Sequence, residues 1–325
     1  MRRKHVALVV VTIIALFLGL HATASAQSYP DRAVRMIIAF PAGGTIDTLG
    51  RIVAQKLTEA WGQNVLVENR PGASGNIGAQ AAAQAAPDGY TLHLGAQTLA
   101  VNVTLAPAKG FDPTKDFEPI MLVASAQDVL MVPPDSPFRS VRDLIDHAKA
   151  NPGQLNYASL GTGSSGHLAT TMFSDLAGVK LQHVPYSQYS QALTDFLSGR
   201  TALWITTLGG AIGNIKAGKM RALAVSGRSR AQQLPDVPTF QETGVGFSDE
   251  SSWYALFAPK GTPKEIVAKV NADMTRILAL PDVKEREATM GYRFIGGSPE
   301  DLAKFLQSGI AKWAEVARSA SLTAN

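Results

Sequence analysis

Three glycine-rich turns carry most of the chemistry legible in this chain: Pro41-Ala42-Gly43-Gly44-Thr45, Gly95-Ala96-Gln97-Thr98 and Gly161-Thr162-Gly163-Ser164-Ser165-Gly166. Each follows a strand-like apolar run, and the first and third lead into helical patterns. A helix start presents up to four unpaired N–H donors and roughly half a positive charge, so a cluster of such ends forms a carboxylate or phosphate receptor without Arg or Lys.

Other chemistry fits the same residues less well. Gly161-x-Gly163-x-x-Gly166 formally matches a dinucleotide fingerprint, but the next strand ends in Val184-Pro185-Tyr186 rather than in the acid that would hold a ribose. Ser164, Ser165 and His167 supply the residue types of a secreted hydrolase without the Gly-x-Ser-x-Gly spacing, which leaves the serines as hydrogen-bonding groups. His93, His147 and His183 are scattered without the i,i+4 spacing of a metal site, and no cofactor is indicated. Asp47 is the one acid inside the three turns, and balancing the positive end of its own helix is an ordinary role for it.

The elements that must position these turns alternate between strand and helix. Val34 to Phe40 reads as a buried strand, and Leu49, Ile52, Val53, Leu57 and Trp61 mark one face of the following helix. Val65 to Val67 and Tyr90 to Leu94 are further strands, separated by a helix from Ile77 to Ala86 that Pro87-Asp88-Gly89 stops. A second series runs through strand Leu155 to Leu160, helix Gly166 to Leu176, strand Leu181 to Val184, helix Gln191 to Leu197, and strands Ala202 to Ile205 and Arg221 to Val225. Such alternation predicts two α/β lobes, each with a mostly parallel sheet. Ile120 to Val132 and Trp253 to Ala258 read as crossings between lobes, and helices after Thr262-Pro263 and Ser298-Pro299 pack back on the first lobe.

Arg2-Arg3-Lys4, an apolar run from Val6 to Leu20 and Ala24-Ser25-Ala26 form the pattern of a secretory signal cleaved after Ala26. About 15 apolar residues fall short of the roughly 20 that cross a bilayer. Without the leader, 27 basic residues face 26 acids, so the net charge falls from +4 to +1 and gives no reason to expect nucleic acid. The chain has no cysteine, which excludes disulfides and thiolate chemistry and leaves stability to burial.

The motifs together resemble a known family. Phe40-Pro41-Ala42-Gly43-Gly44-Thr45-Ile46-Asp47, Val67 to Gly78, Ala86 to Leu92, Ala158 to His167, His183-Val184-Pro185-Tyr186, Gly218 to Val225, Leu234 to Thr239 and Ala258 to Pro263 are similar to the Bug family. These are periplasmic solute receptors of tripartite tricarboxylate transporters. The resemblance implies a two-lobe, type II periplasmic-binding-protein fold that closes on a small carboxylate and delivers it to two integral membrane subunits. It implies a monomer that is not an enzyme, with presentation to a sensor ectodomain as an alternative partnership. Lobe 1 would comprise residues 27–127 and 251–325, and lobe 2 residues 128–250.

Carried over residue by residue, the family's ligand site falls on Pro41, Gly43, Gly44, Thr45 and Asp47, on Ala96, Gln97 and Thr98, and on Thr162, Gly163, Ser164, Ser165 and His167. Where many relatives have Asp-Asn, this chain has Thr206-Thr207, removing a charge that would pair with a ligand's ammonium. Tyr186 and Tyr189 place two rings where a pocket wall is expected. The expected ligand is therefore a non-amino carboxylate, aromatic or dicarboxylic.

Overall fold

A computed structural model describes residues 29–108, 110–161, 164–246 and 252–319. The signal segment, Thr162 and Gly163 lie outside the described residues.

Strand β1 (Val34–Ile38) leads through the Gly43-Gly44 turn into helix α1 (Thr45–Trp61), followed by β2 (Val65–Asn69), α2 (Asn76–Ala83), β3 (Thr91–Ala96) and α3 (Thr98–Leu105). A short helix α4 (Pro113–Asp116) precedes β4 (Phe117–Ala126). After Gln127 the chain enters the second sheet as β5 (Asp128–Val132), then α5 (Val141–Ala150), β6 (Asn156–Ser159), α6 (Ser165–Ala177), β7 (Gln182–Pro185), α7 (Tyr189–Leu197), β8 (Leu203–Thr207), α8 (Leu208–Lys216) and β9 (Arg221–Val225). It returns as β10 (Ser252–Pro259), α9 (Lys264–Leu278), α10 (Pro281–Met290), β11 (Tyr292–Gly296) and α11 (Pro299–Ser319).

The first sheet has the order β11-β4-β10-β3-β1-β2 and the second β7-β6-β8-β5-β9. Both are mixed rather than mostly parallel. Pairs within the local β-α-β series are parallel, β1 with β2 and β3, and β6 with β7 and β8. The strands that follow a crossing between lobes, β10 and β5, run antiparallel to their neighbours. Ile120–Val132 does divide at Gln127 between the sheets, whereas Trp253–Ala258 lies wholly inside the first sheet and the return crossing precedes it.

Side-chain alternation along each strand builds a core on both faces of each sheet. Val34, Met36 and Ile38 pack with Leu49, Val53 and Leu57 of α1 and Val270 and Met274 of α9, while Ile37 faces Leu99, Phe257, Leu302 and Trp313. In the second sheet Leu130, Leu203 and Ile205 join Phe173 and Phe240 on one face, and Met131 and Trp204 join Phe196 on the other. Each fully buried side chain of this size contributes about 1.5–3 kcal/mol, which suffices without cross-links. Helix α1 ends at Gly62, whose left-handed φ of 66° lets its N–H bond Thr58 O at 2.9 Å.

Candidate functional site

Helix starts from both lobes meet where the two sheets face each other. They are Gly44 before α1, Gln97 before α3, Ser164 before α6 and Thr207 before α8. The second turn thus also opens a helix, which its sequence alone does not signal. Helix α6 can approach β8 because residue 166 is glycine: a Cβ there would lie 2.5 Å from the backbone O of Ile205.

A cavity of about 50 Å³ sits between these ends, with Pro41, Gly44, Thr45, Ile46 and Ala96 from one lobe and Ser164, Ser165, Gly166, Thr206 and Thr207 from the other. Phe40, Leu160, Tyr189, Trp204 and Tyr254 form its apolar wall. The volume accommodates about four water-sized groups, at 10–15 Å³ for each. Phe40, Pro41 and Leu160 also border an outer chamber of about 790 Å³ that reaches Ala73, Ser74, Pro185, Tyr186 and Asp195.

The lobes touch across the inner cavity. Thr45 Oγ1 and Thr207 Oγ1 share a hydrogen bond, and the backbone O of Thr45 accepts from Tyr292 Oη at 2.8 Å. Tyr189 Oη donates to Gly210 O at 2.7 Å, and its ring packs on Trp204 with centroids 5.5 Å apart. Further back, Gln127 Nε2 donates to Ser226 O at 2.6 Å and Gln233 Nε2 to Glu287 O at 3.0 Å, tying the hinge and the two lobes together.

Among the described residues, no Asp, Glu, Lys, Arg or His lines the inner cavity. Asp47 faces away: Oδ2 accepts from Gly43 N and Arg51 Nε, each at 3.0 Å, and Oδ1 from Asn69 Nδ2 at 2.9 Å. Burial pushes its pKa up, but these bonds outweigh it and hold the carboxyl below its ordinary range. Asp47 therefore fixes the first turn rather than meeting the cavity. Tyr254, buried beside Tyr292 and Asp128, is driven well above the usual phenol range and stays neutral.

Of the expected residues, Pro41, Gly44, Thr45, Ala96, Ser164, Ser165, Tyr189, Thr206 and Thr207 come together at the inner cavity, and Tyr186 borders the outer chamber. Gly43, Asp47, Gln97, Thr98 and His167 do not line it. Gln97 is 1% exposed, and neither side-chain amide atom has a hydrogen-bond partner among the described residues. Ser164 Oγ accepts from His167 N at 3.4 Å as a helix cap, which is a structural rather than nucleophilic role. The His167 ring stacks on His183, centroids 4.2 Å apart, and burial lowers both pKa values, His183 to about 4 with His167 adding repulsion.

Sequence reasoning missed Phe40, Ile46, Leu160, Gly166, Trp204 and Tyr254. The signal existed for Trp204, which alternates with Thr206 on one face of β8, and for Phe40 and Leu160, which end the runs before two of the turns. Tyr254 reaches the site only because β10 pairs with β3 and sets it opposite Ala96.

A family model described as the tripartite tricarboxylate transporter family receptor matches residues 49–322. Protein BugT of Bordetella pertussis is 35% identical over 313 residues, covering 96% of each chain. A solved structure of Rpa4515 from R. palustris with adipate superposes with a TM-score of 0.88 at 35% identity, covering 91% of this chain and all of that one (100%). MatC from Rhodopseudomonas palustris with bound malate gives a TM-score of 0.84 at 31% identity, covering 89% and 99%.

Proposed function

The chain belongs to the tripartite tricarboxylate transporter receptor family, and from that premise we propose that it captures a non-amino organic carboxylate in the periplasm and hands it to two integral membrane subunits. The observation that carries this reading is the convergence of helix starts from both lobes on a cavity with apolar walls and, among the described residues, no charged side chain. Hydrogen bonds to a carboxylate contribute about 1.5–3 kcal/mol each, so a few amides and hydroxyls reach the roughly 8 kcal/mol of a micromolar complex after ordering losses.

One carboxylate fills the inner cavity beside Ala96, taking donors from the start of α1 at Gly44-Thr45, from the start of α6 at Ser164-Ser165-Gly166 and from the Thr206 hydroxyl. The body, aromatic or the chain of a dicarboxylate, extends past Phe40 and Leu160 toward Tyr186. Thr206 and Thr207 offer hydroxyls where an ammonium would need a carboxylate. The related structures hold adipate and malate, both acids without an amino group. We assign residues 27–127 and 251–325 to one lobe and 128–250 to the other, with the leader removed after Ala26 and the receptor acting as a monomer.

A ligand panel tests the proposal. Adipate, malate and benzoate should raise the melting temperature by mass action, and at least one should bind with one-to-one stoichiometry. Tighter binding of aliphatic amino acids than of any of these acids would overturn the ligand class.

A further inference from the structure

We propose that His183 is a positioning residue for the carboxylate-receiving turn after β6, acting through Ser159; the inference rests on the receptor reading above. His183 lies on the edge strand β7, one strand away from that turn, and its Nε2 is 2.6 Å from Ser159 Oγ. Ser159 is fully buried, and its hydroxyl meets both polar atoms of Gly161: Oγ to O at 3.1 Å and N to Oγ at 3.2 Å. Gly161 O in turn accepts Ser164 N at 3.1 Å, at the start of α6.

Proton accounting assigns the direction of this chain. A serine hydroxyl has one proton and two lone pairs. Gly161 N can only donate and Gly161 O only accept, so the hydroxyl proton goes to Gly161 O and one lone pair takes Gly161 N–H. The remaining lone pair must receive a donor, which fixes His183 as the Nε2–H tautomer. Were the serine to donate to His183 instead, two acceptors, Ser159 Oγ and Gly161 O, would face each other at 3.1 Å.

Gly161 needs such support, because its φ of +104° is a conformation that only glycine adopts readily and that no regular element maintains. His183 is itself held between rings, with Tyr157 centred 5.0 Å away and His167 4.2 Å away. It therefore touches the turn's beginning through Ser159 and the first turn of α6 through His167. This relay presets Gly161 and, through it, the start of α6 before ligand arrives.

The test uses the mature chain and three variants. His183→Phe keeps the stacking and removes the donor, His183→Gln restores an amide donor, and Ser159→Ala removes the relay. The readouts are the dissociation constant for adipate, the ligand-free hydrogen exchange of Gly161 and Ser164 amides, and the imidazole ¹⁵N shifts of His183. His183→Phe should weaken adipate binding about tenfold, equivalent to one net hydrogen bond, and speed exchange at both amides. His183→Gln should recover most of both, and adding His183→Phe to Ser159→Ala should cost nothing further. Unchanged affinity and exchange in a folded His183→Phe, additive losses in the double variant, or an Nδ1–H tautomer would each overturn the relay. If the wild-type chain takes up no carboxylate, the receptor reading fails, and the exchange and tautomer measurements still decide the positioning role. They do so equally, through Ser159→Ala, if His183→Phe does not fold.

Discussion

Thr45, at the start of α1 in one lobe, and Thr207, at the end of β8 in the other, join their hydroxyls in a buried hydrogen bond across the crevice. The contact exists only when the lobes are together, so it biases the molecule toward closure before any ligand is present. Thr207→Val keeps the side chain's shape and removes the bond. The ligand-free protein should then open, with a larger radius of gyration by small-angle scattering, and adipate should bind about 2–10-fold more weakly, the equivalent of one net hydrogen bond. An unchanged radius and affinity would remove closure from the account.

Gly166 tests the approach of α6 to β8. An alanine methyl would press on a backbone oxygen that is part of a sheet, 2.5 Å away, and cannot swing aside as a side chain would. Gly166→Ala should cost about 1–3 kcal/mol of stability in denaturant titration and reduce carboxylate affinity together with it. A variant as stable and as tight-binding as the wild type would show that the helix start can shift without consequence.

Thr206 tests the ligand class. Its side chain is 9% exposed and borders the inner cavity. A carboxylate placed there by Thr206→Asp repels the ligand's own charge; at about 4 Å and an effective dielectric near 20 the cost approaches 4 kcal/mol, more than one lost hydrogen bond. Benzoate and adipate should bind at least about tenfold more weakly, while α-amino acids gain relative to both. Equal affinity for adipate in calorimetry would mean that the carboxylate does not approach this wall.

His93 gives the fold a pH dependence unrelated to ligand. Its ring is 1% exposed, stacks on Phe117 with centroids 5.3 Å apart, and Nδ1 donates to Ile37 O at 3.0 Å. Burial lowers its pKa to about 4, a shift that the bond to Ile37 opposes only in part. Because the folded pKa lies below the unfolded value near 6.5, the unfolded chain binds the proton first; stability is lost as pH falls from about 6.5 to about 4 and levels off below. The full loss from this group is about 3 kcal/mol. Urea titrations should show a shallower decline over that window in His93→Phe than in the wild type, and parallel profiles would contradict the assignment.

The local units were legible because their signals are local. The run Val34 to Phe40 followed by Gly43-Gly44 and the Leu49, Ile52, Val53, Leu57 stripe could be placed as β1, turn and α1 from spacing alone. Ser164 was legible as a hydrogen-bonding group because its turn lacks the Gly-x-Ser-x-Gly spacing of a nucleophile, and its use as the cap of α6 emerged only with the fold. Features that depend on strand pairing were not legible: β10 and β5 run antiparallel because each follows a crossing between lobes, and Tyr254 enters the site through its pairing with Ala96. Asp47 sat in the right turn but spends its carboxylate on Gly43, Arg51 and Asn69, a choice that depends on Asn69 of β2 lying alongside.

The central claim is that main-chain amides and hydroxyls from both lobes hold an organic acid without transforming it. Its most direct measurement is calorimetric titration of the mature chain with adipate, malate and benzoate, followed by NMR of the recovered ligand. The account predicts saturable one-to-one binding of at least one acid, recovered chemically unchanged. Absence of binding for all three, or recovery of a converted product, would contradict it.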